Sequence, residues 1–267
     1  MFAVIGERIN GMFNDVKKAI QTKDKKIVQD LAIRQTECGA AFLDVNVGPA
    51  SAEPAEAMAW LIETIQEVCK TPISLDSPRL SVVEAGLKVC KNKALINSTL
   101  GDPEKLDKYF PLALQHNASI IALTIDKRGI PGDVNRRVEI AATIIEYAMN
   151  YEFPIENLYI DPIVNPVKFS QPQAANVLEA IRQFKMFSDP PPHTVVGLSN
   201  LSQGTLHREL INRTFVTMAI TAGLDTAILD PMDTEMMDEI ISTEILLNKS
   251  IYSDSYLEAT KKTFKVK

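Results

Sequence analysis

The chain has 267 residues, of which 46% are hydrophobic and 23% charged, and its formal net charge is −6. This length and apolar content support a sizeable core, which excludes a disordered chain and a small disulfide-stapled scaffold. The acidic balance argues against a nucleic-acid groove, which needs a basic face. Three isolated cysteines, no signal-peptide pattern and no long apolar run predict a cytoplasmic protein without a membrane span.

Short apolar runs alternate with amphipathic stretches along the chain, and we predict the runs to be strands buried on both faces of a parallel sheet. In chain order they are residues 3–6, 42–47, 72–75, 94–96, 120–125, 158–160, 194–198 and 226–229. Apolar spacings of three and four predict helices at 24–38, 55–69, 80–89, 134–149 and 173–187. A further helix begins at Pro103, after the capping residue Asp102.

Eight strand–helix units in a chain of this length predict a (β/α)8 TIM barrel, as a single domain over residues 1–267. A doubly wound open sheet is the competitor, but it often carries G-x-G-x-x-G after the first strand, and residues 6–11 do not match that pattern. The proline-rich segment 189–193 is predicted as a turn at the bottom of the barrel. The polar connection 162–172 is predicted as a non-helical loop at the catalytic end.

A polar residue stands at the end of every predicted strand or directly after it. These residues are Glu7, Asn46, Asp76, Asn97, Asp126, Asp161, Asn200 and Asp230. In a barrel such positions converge on the C-terminal mouth, where active sites lie. Any single Asp or Asn can instead cap a helix or form a turn, but eight together predict a polar ring. Carboxylates and amides in a dry pocket suit a flat, neutral heterocycle such as a pterin, and a purine or another pyrimidine-like ring fits equally well.

The same ring argues against several common chemistries. The only histidines, His116, His193 and His207, are scattered, unlike the ligands of a metal hydrolase. No lysine follows a predicted strand directly, as a Schiff-base aldolase would need. Gly204 alone is weak evidence for a phosphate-binding nest.

Several of these segments resemble the pterin-binding methyltransferases. They are IGERING at 5–11, DVNVG at 44–48, LDS at 75–77, INST at 96–99, DP at 161–162 and GLSNLSQG at 197–204. The chain is most similar to the methyltetrahydrofolate:corrinoid protein methyltransferases, which include the folate module of cobalamin-dependent methionine synthase. The resemblance covers essentially the whole chain, and it implies a pterin-binding barrel that is usually a homodimer.

The resemblance also assigns roles by position. Asp76, Asn97 and Asp161 match the residues that hold the pterin, and Asn200 matches the catalytic residue beside N5. The remaining matches around the folate are Gly197, Ser199 and Gln203 in the strand-seven segment, with Glu7, Asn10, Asp44 and Asn46 beneath. No metal bound by this chain is implied.

The implied reaction moves a methyl group in line between N5 of tetrahydrofolate and the cobalt of a corrinoid. The amide of Asn200 suits either direction, because it both donates and accepts beside N5. The D-x-H-x-x-G signature of cobalamin modules is absent, and so is a zinc-thiolate homocysteine module. The resemblance therefore implies a separate corrinoid protein as a transient partner.

We expect transfer from a methylcorrinoid protein to tetrahydrofolate, forming 5-methyltetrahydrofolate. Transfer from methyltetrahydrofolate to a corrinoid iron–sulfur protein, and use of tetrahydromethanopterin, stay open. Basic residues on loops after strands five, six and seven are candidates to attract a polyglutamate tail: Lys127, Arg128, Lys168 and Arg208.

Two other functions are alternatives. Dihydropteroate synthase, a related barrel, uses a lysine late in strand seven and Arg-x-His near strand eight, whereas this chain has Ser199-Asn200 and Asp230-Pro231 there. A non-catalytic folate-binding protein is compatible with the same residues, because binding and catalytic residues coincide.

Overall fold

The computed structural model describes residues 1–252, which contain a closed barrel of eight parallel strands in chain order. The strands are β1 (Ala3–Asn10), β2 (Phe42–Asn46), β3 (Ile73–Asp76), β4 (Leu95–Leu100), β5 (Ser119–Leu123), β6 (Leu158–Asp161), β7 (His193–Gly197) and β8 (Thr226–Leu229). Strand β8 pairs with β1 from Thr226–Ala3 to Leu229–Gly6, which closes the sheet. The predicted barrel is confirmed, and residues 253–267 of the predicted domain lie outside the described residues.

The helices of this part of the chain surround the barrel. They are α1 (Asn14–Thr22), α2 (Lys25–Glu37), α3 (Pro54–Gln66), α4 (Leu80–Val89), α5 (Pro103–Gln115), α6 (Val134–Asn150), α7 (Pro172–Phe184), α8 (Arg208–Ala222) and α9 (Thr234–Leu246). The six predicted helices are confirmed; α1, α8 and α9 were not predicted. No helix up to residue 252 is long and apolar enough to cross a bilayer.

Aspartates begin several of the helices, three of them on connections that follow strands. The carboxylates of Asp24, Asp102, Asp133 and Asp233 accept backbone N–H groups in the first turns of α2, α5, α6 and α9. Such caps are each worth about 1 kcal/mol. The capping role predicted for Asp102 is confirmed, and some acidic residues near the mouth therefore belong to helix starts.

The barrel interior changes from apolar to polar toward the mouth. Its lower layer is a buried cluster of Ile5, Leu95, Ile121, Tyr159 and Val195. Side chains two residues apart along a strand point to the same face. The next layer toward the mouth therefore consists of Glu7, Asn97, Leu123, Asp161 and Gly197.

The opposite end of the barrel is held by a partly buried ionic cluster around Asp225. This carboxylate accepts bonds from Lys185 and from the Thr194 amide (2.9 Å), and it lies 3.8 Å from His193 Nδ1. Although burial opposes ionisation, the nearby His193 and the bonds from Lys185 and Thr194 lower the pKa of Asp225 to about 2. As predicted, the segment before β7 turns here, at the end remote from the mouth.

Asp225→Asn is expected to destabilise the protein by about 2 kcal/mol at pH 7. A folded-state pKa below the ordinary 3.8 contributes stability that is present above pH 4 and lost as the pH falls toward 2. Urea unfolding of the wild type and the variant from pH 7 to pH 2.5 should show their difference shrinking with acidification. An equal difference at every pH would show that the charge of Asp225 is not what stabilises this end.

Candidate functional site

Polar residues form a row across the mouth ends of the first four strands. Asn10 pairs in register with Asn46, Asn46 with Asp76, and Asp76 with Asn97. Because paired residues of neighbouring parallel strands project in the same direction, the row lines one side of the mouth. Three residues predicted to bind the heterocycle are thus side by side.

Hydrogen bonds lock this row in place. Asn46 Nδ2 donates to Asp76 Oδ2 at 2.6 Å. Below them, Asp44 Oδ1 accepts from Ser74 Oγ at 2.6 Å and from Asn97 Nδ2 at 3.0 Å. Together with Asp161, we call Asp44, Asn46, Asp76 and Asn97 the polar floor. Its side chains have few alternative orientations, so its donors and acceptors are preorganised.

Burial changes the acidity of the polar floor. It raises the pKa of Asp44, and the neighbouring Asp76 carboxyl raises it further, against the bonds from Ser74 and Asn97. Burial also raises the pKa of Asp76, against the bond from Asn46. Two close carboxyls in a poorly solvated site resist double ionisation. The pair of Asp44 and Asp76 therefore retains a proton to higher pH than free carboxyls do. The protonated carboxyl adds a hydrogen-bond donor to a site made mainly of acceptors.

Asp161 occupies the mouth end of β6 and is buried. Its Oδ1 accepts the Ile163 amide at 2.7 Å, and burial raises its pKa to about 7, against this bond and the charge of Arg137. Ile163 has φ of +63°, a left-handed conformation that is unusual for a β-branched residue. Such strain is typical of functional sites and here aims the amide at the carboxyl.

The segment after β7, at the mouth end of the barrel, carries the exposed Asn200. Ser199 Oγ donates to Glu7 Oε1 at 2.8 Å, and Arg208 Nη2 donates to the Ser199 carbonyl at 3.0 Å. Burial raises the pKa of Glu7, against the Ser199 bond. A Cβ on Gly197 would lie 2.9 Å from Asn200 Nδ2. The bare backbone of Gly197 therefore makes room for the exposed Asn200 amide.

Known proteins are similar to this chain in sequence and in fold. Residues 6–230 match the family described as pterin binding enzyme. The methylcorrinoid:tetrahydrofolate methyltransferase of Eubacterium limosum is 34% identical over 261 residues, covering 96% of this chain and 95% of that protein. This chain belongs to the pterin-binding enzyme family. Methionine synthase of Mycobacterium leprae is 30% identical over 239 residues, which cover 85% of this chain but 20% of that protein.

Solved structures of other proteins show the same barrel. The 7,8-dihydropteroate synthase of Vibrio fischeri ES114 matches 94% of each chain with a TM-score of 0.70 and 16% identity. Dihydropteroate synthase of Thermus thermophilus, in complex with 6HMPPP, matches 94% of each chain with a TM-score of 0.67 and 15% identity. At these identities the likeness concerns the fold alone.

Not every polar residue after a strand joins the mouth of this pterin-binding enzyme. Asp126 was predicted to do so, but β5 ends earlier, at Leu123, and Asp126 pairs with Arg128 and Arg136 on the following loop and helix. Asp230 accepts the Met232 amide in a turn but stays at the mouth, where its carboxyl helps to raise the pKa of Glu7. Gln203 is exposed beyond Asn200, and the structure shows no hydrogen bond between its side chain and the polar floor.

Two buried polar residues near the site were missed from the sequence. Arg137 of α6 is fully buried, and its Nη2 donates to Gln173 Oε1 at 2.6 Å. Arg137 falls on the same helix face as the core residues Ile140, Ala141 and Ile144. A charged residue in an otherwise apolar stripe is the signal that could have revealed it.

Small cavities lie at the mouth of the barrel. Cavities of about 300 and 280 Å³ both touch Asp76, and one of about 360 Å³ lies between Glu7, Ser199 and Arg208. Four exposed apolar residues, which we call the mouth rim, stand on loops after β1, β5, β6 and β7: Met12, Ile130, Phe169 and Leu206. Among residues 1–252, no three His, Cys, Asp or Glu side chains group as a metal site.

Gly197→Ala is expected to reduce methyl transfer at least about tenfold while folate affinity changes little, because the added methyl group displaces the Asn200 amide. Turnover and folate binding should be measured together. Gly132→Ala is the matched control, since a Cβ there meets no atom within 4 Å. Equal turnover of the two variants would show that the position of Asn200 over Gly197 is unimportant.

Proposed function

We propose that this pterin-binding enzyme is a methyltransferase that transfers a methyl group from the cobalt of a separate methylcorrinoid protein to N5 of tetrahydrofolate. The product is 5-methyltetrahydrofolate. The observation that carries the proposal is the locked polar floor at the mouth, with the exposed Asn200 amide on the segment that follows β7. The name and 34% identity of the Eubacterium limosum relative support the same reaction and direction.

The polar floor matches the hydrogen-bonding edge of a pterin. That edge presents a ring N–H and an amino group as adjacent donors, beside a carbonyl acceptor. The buried Asp161 carboxylate accepts the two donors, and Asn97 and Asp76 bind the remaining polar atoms of the ring. A ligand without this pattern leaves buried groups unpaired, which costs roughly 1–3 kcal/mol per group. This mismatch gives the site its preference for a pterin.

Asn200 acts on N5. During transfer the N5 lone pair forms a bond to the methyl carbon, the cobalt–carbon bond breaks with its electron pair left on cobalt, and N5 then loses its proton. The Asn200 carbonyl oxygen accepts a hydrogen bond from the N5 proton, which orients the lone pair toward the mouth. In the reverse direction the Asn200 amide N–H donates to N5 as it leaves, so one residue serves both.

The corrinoid protein docks transiently over the mouth, and the enzyme works as a homodimer in the cytoplasm. A second copy covers the face formed by α7 and α8. This face has an apolar cavity of about 750 Å³ and exposed apolar residues at Leu210 and Met218. A monomer rarely leaves such a patch uncovered. Light scattering coupled to gel filtration should give twice the mass of one chain, and a monomer mass would reject the dimer.

The test is a transfer assay with a methylated corrinoid protein and tetrahydrofolate, followed by the cobalt absorption spectrum and by chromatography of 5-methyltetrahydrofolate. We expect enzyme-dependent formation of both products. Folate binding without transfer in either direction would instead identify a non-catalytic folate-binding protein. Condensation of a pterin pyrophosphate with p-aminobenzoate, assayed in parallel, would identify a dihydropteroate synthase.

A further inference from the structure

Arg137 is a buried arginine with every arm of its guanidinium group occupied. Nε donates to the Pro162 carbonyl at 2.7 Å, Nη1 to the Asp133 carbonyl at 3.1 Å, and Nη2 to Gln173 Oε1 at 2.6 Å. One side chain thus ties the loop before α6 to the loop after β6 and to the first turn of α7. A buried charge is costly to desolvate, so a set of acceptors this complete is expected only where the charge is needed.

The bond to Pro162 acts on the turn that carries Asp161. Pro162 lies between Asp161 and Ile163, whose left-handed conformation directs its amide to Asp161 Oδ1 at 2.7 Å. Arg137 holds the carbonyl in the middle of this turn. A strained turn persists only when its surroundings fix it, and Arg137 supplies that constraint.

Arg137 is also the charged side chain that acts on Asp161. Its charge opposes the rise that burial causes in the pKa of Asp161. The register partner of Asp161 on β5 is the apolar Leu123, and the charged groups that act on Arg137 are Asp133 and Asp161. Without Arg137, the buried carboxyl would hold its proton to higher pH.

We propose that Arg137 is a positioning residue for Asp161, which fixes the Asp161–Pro162–Ile163 turn and keeps the carboxylate charged to receive the donors of the pterin. The role in binding rests on the proposed function, whereas the effect on the Asp161 carboxyl does not. Arg137 itself lies behind the turn and acts through Asp161.

Two variants test the two parts of this role. Arg137→Met removes the charge and all the hydrogen bonds. Gln173→Glu keeps the side-chain shape and the acceptor for Nη2 but offsets the charge of Arg137. The Gly132 carbonyl loses the Gln173 donor in this variant and keeps Asn176 Nδ2, at 3.2 Å. Arg182→Met is the matched control, since this half-exposed arginine pairs with Glu179 on α7.

The first measurement is the pH titration of the Asp161 carboxyl by ¹³C NMR, assigned by its loss in Asp161→Asn. We expect the midpoint to rise by about 1 pH unit in Arg137→Met and in Gln173→Glu, and to stay unchanged in Arg182→Met. If Arg137→Met does not fold, Gln173→Glu carries the test. Midpoints equal to the wild type in the folded variants would overturn the proposal.

The second measurement is the tetrahydrofolate Kd from pH 6 to pH 9. The pH at which binding weakens should move upward with the carboxyl midpoint in both variants. At pH 9, Gln173→Glu should bind within about threefold of the wild type, while Arg137→Met stays about tenfold weaker because its turn is not held. If the wild-type protein does not bind tetrahydrofolate, the proposed function is rejected. The titration of the Asp161 carboxyl then remains as the test of the role of Arg137.

Discussion

Asp161→Asn is expected to weaken tetrahydrofolate binding about 100-fold, or close to 3 kcal/mol. The carboxylate can accept two pterin donors, whereas the asparagine amide turns one acceptor into a donor that faces another donor. Because Asp161 is buried, water cannot repair the mismatch. The wild type should lose affinity in the same way as the pH falls below about 7, where the carboxyl becomes protonated.

The free energy of unfolding shows whether Asp161→Asn loses folate affinity through the changed contact or through misfolding. The pKa of Asp161 is about 7 in the folded protein, compared with the ordinary value of 3.8 that applies to the unfolded chain. Between these two pH values the folded state binds more protons than the unfolded state, so stability falls as the pH rises through this window. The uncharged Asp161→Asn should therefore be at least as stable as the wild type at pH 8. Calorimetric titration and urea unfolding, with the exposed Asp30→Asn as control, check both points. Unchanged folate affinity would remove Asp161 from the pterin site.

Asn200→Ala is expected to lower the rate of methyl transfer about 100-fold while the tetrahydrofolate Kd changes less than about threefold. The polar floor holds the pterin ring without Asn200, so most of the binding energy remains. What is lost is the partner of the N5 proton and the orientation of the N5 lone pair. These contributions matter most while the bond to the methyl carbon forms.

Single-turnover kinetics with a methylated corrinoid protein isolate this effect from product release. Asn150→Ala, at the exposed end of α6, is the control for loss of an asparagine amide. Asn200→Gln moves the same amide by one methylene group and should restore little of the rate, since position decides. Transfer by Asn200→Ala within threefold of the wild-type rate would mean that another group handles the N5 proton.

The barrel was predictable because its strands are nearly continuous apolar runs, whereas several helices were not. Helix α8 contains many β-branched residues, such as Thr214, Val216 and Thr217, whose helix propensity is low. Packing against the sheet and α9 overrides that propensity. Strand ends also differ from prediction: β1 runs on to Asn10, because polar residues at the mouth still pair with β2.

The polar floor was partly predictable, because each of its strands places an Asp or Asn near the mouth. Which of these residues meet could not be predicted: the Asp44–Asn97 bond joins residues 53 apart. Asp126 followed the same local pattern yet binds arginines instead, since β5 stops at Leu123. The roles of Asp76, Asn97, Asp161, Asn200 and Gln203 in binding folate stay predictions until the variants are measured.

The polar floor and the mouth rim belong to different parts of the chain. Strand residues, held in register by the barrel, form the floor; the rim residues Met12, Ile130, Phe169 and Leu206 stand on loops that tolerate change. Substitutions in these loops leave the strand register intact. A lineage can therefore exchange one methyl-donor protein for another by altering the rim, while inheriting the heterocycle site unchanged. Divergence among descendants of such a barrel is expected first in the loops and last in the strand ends.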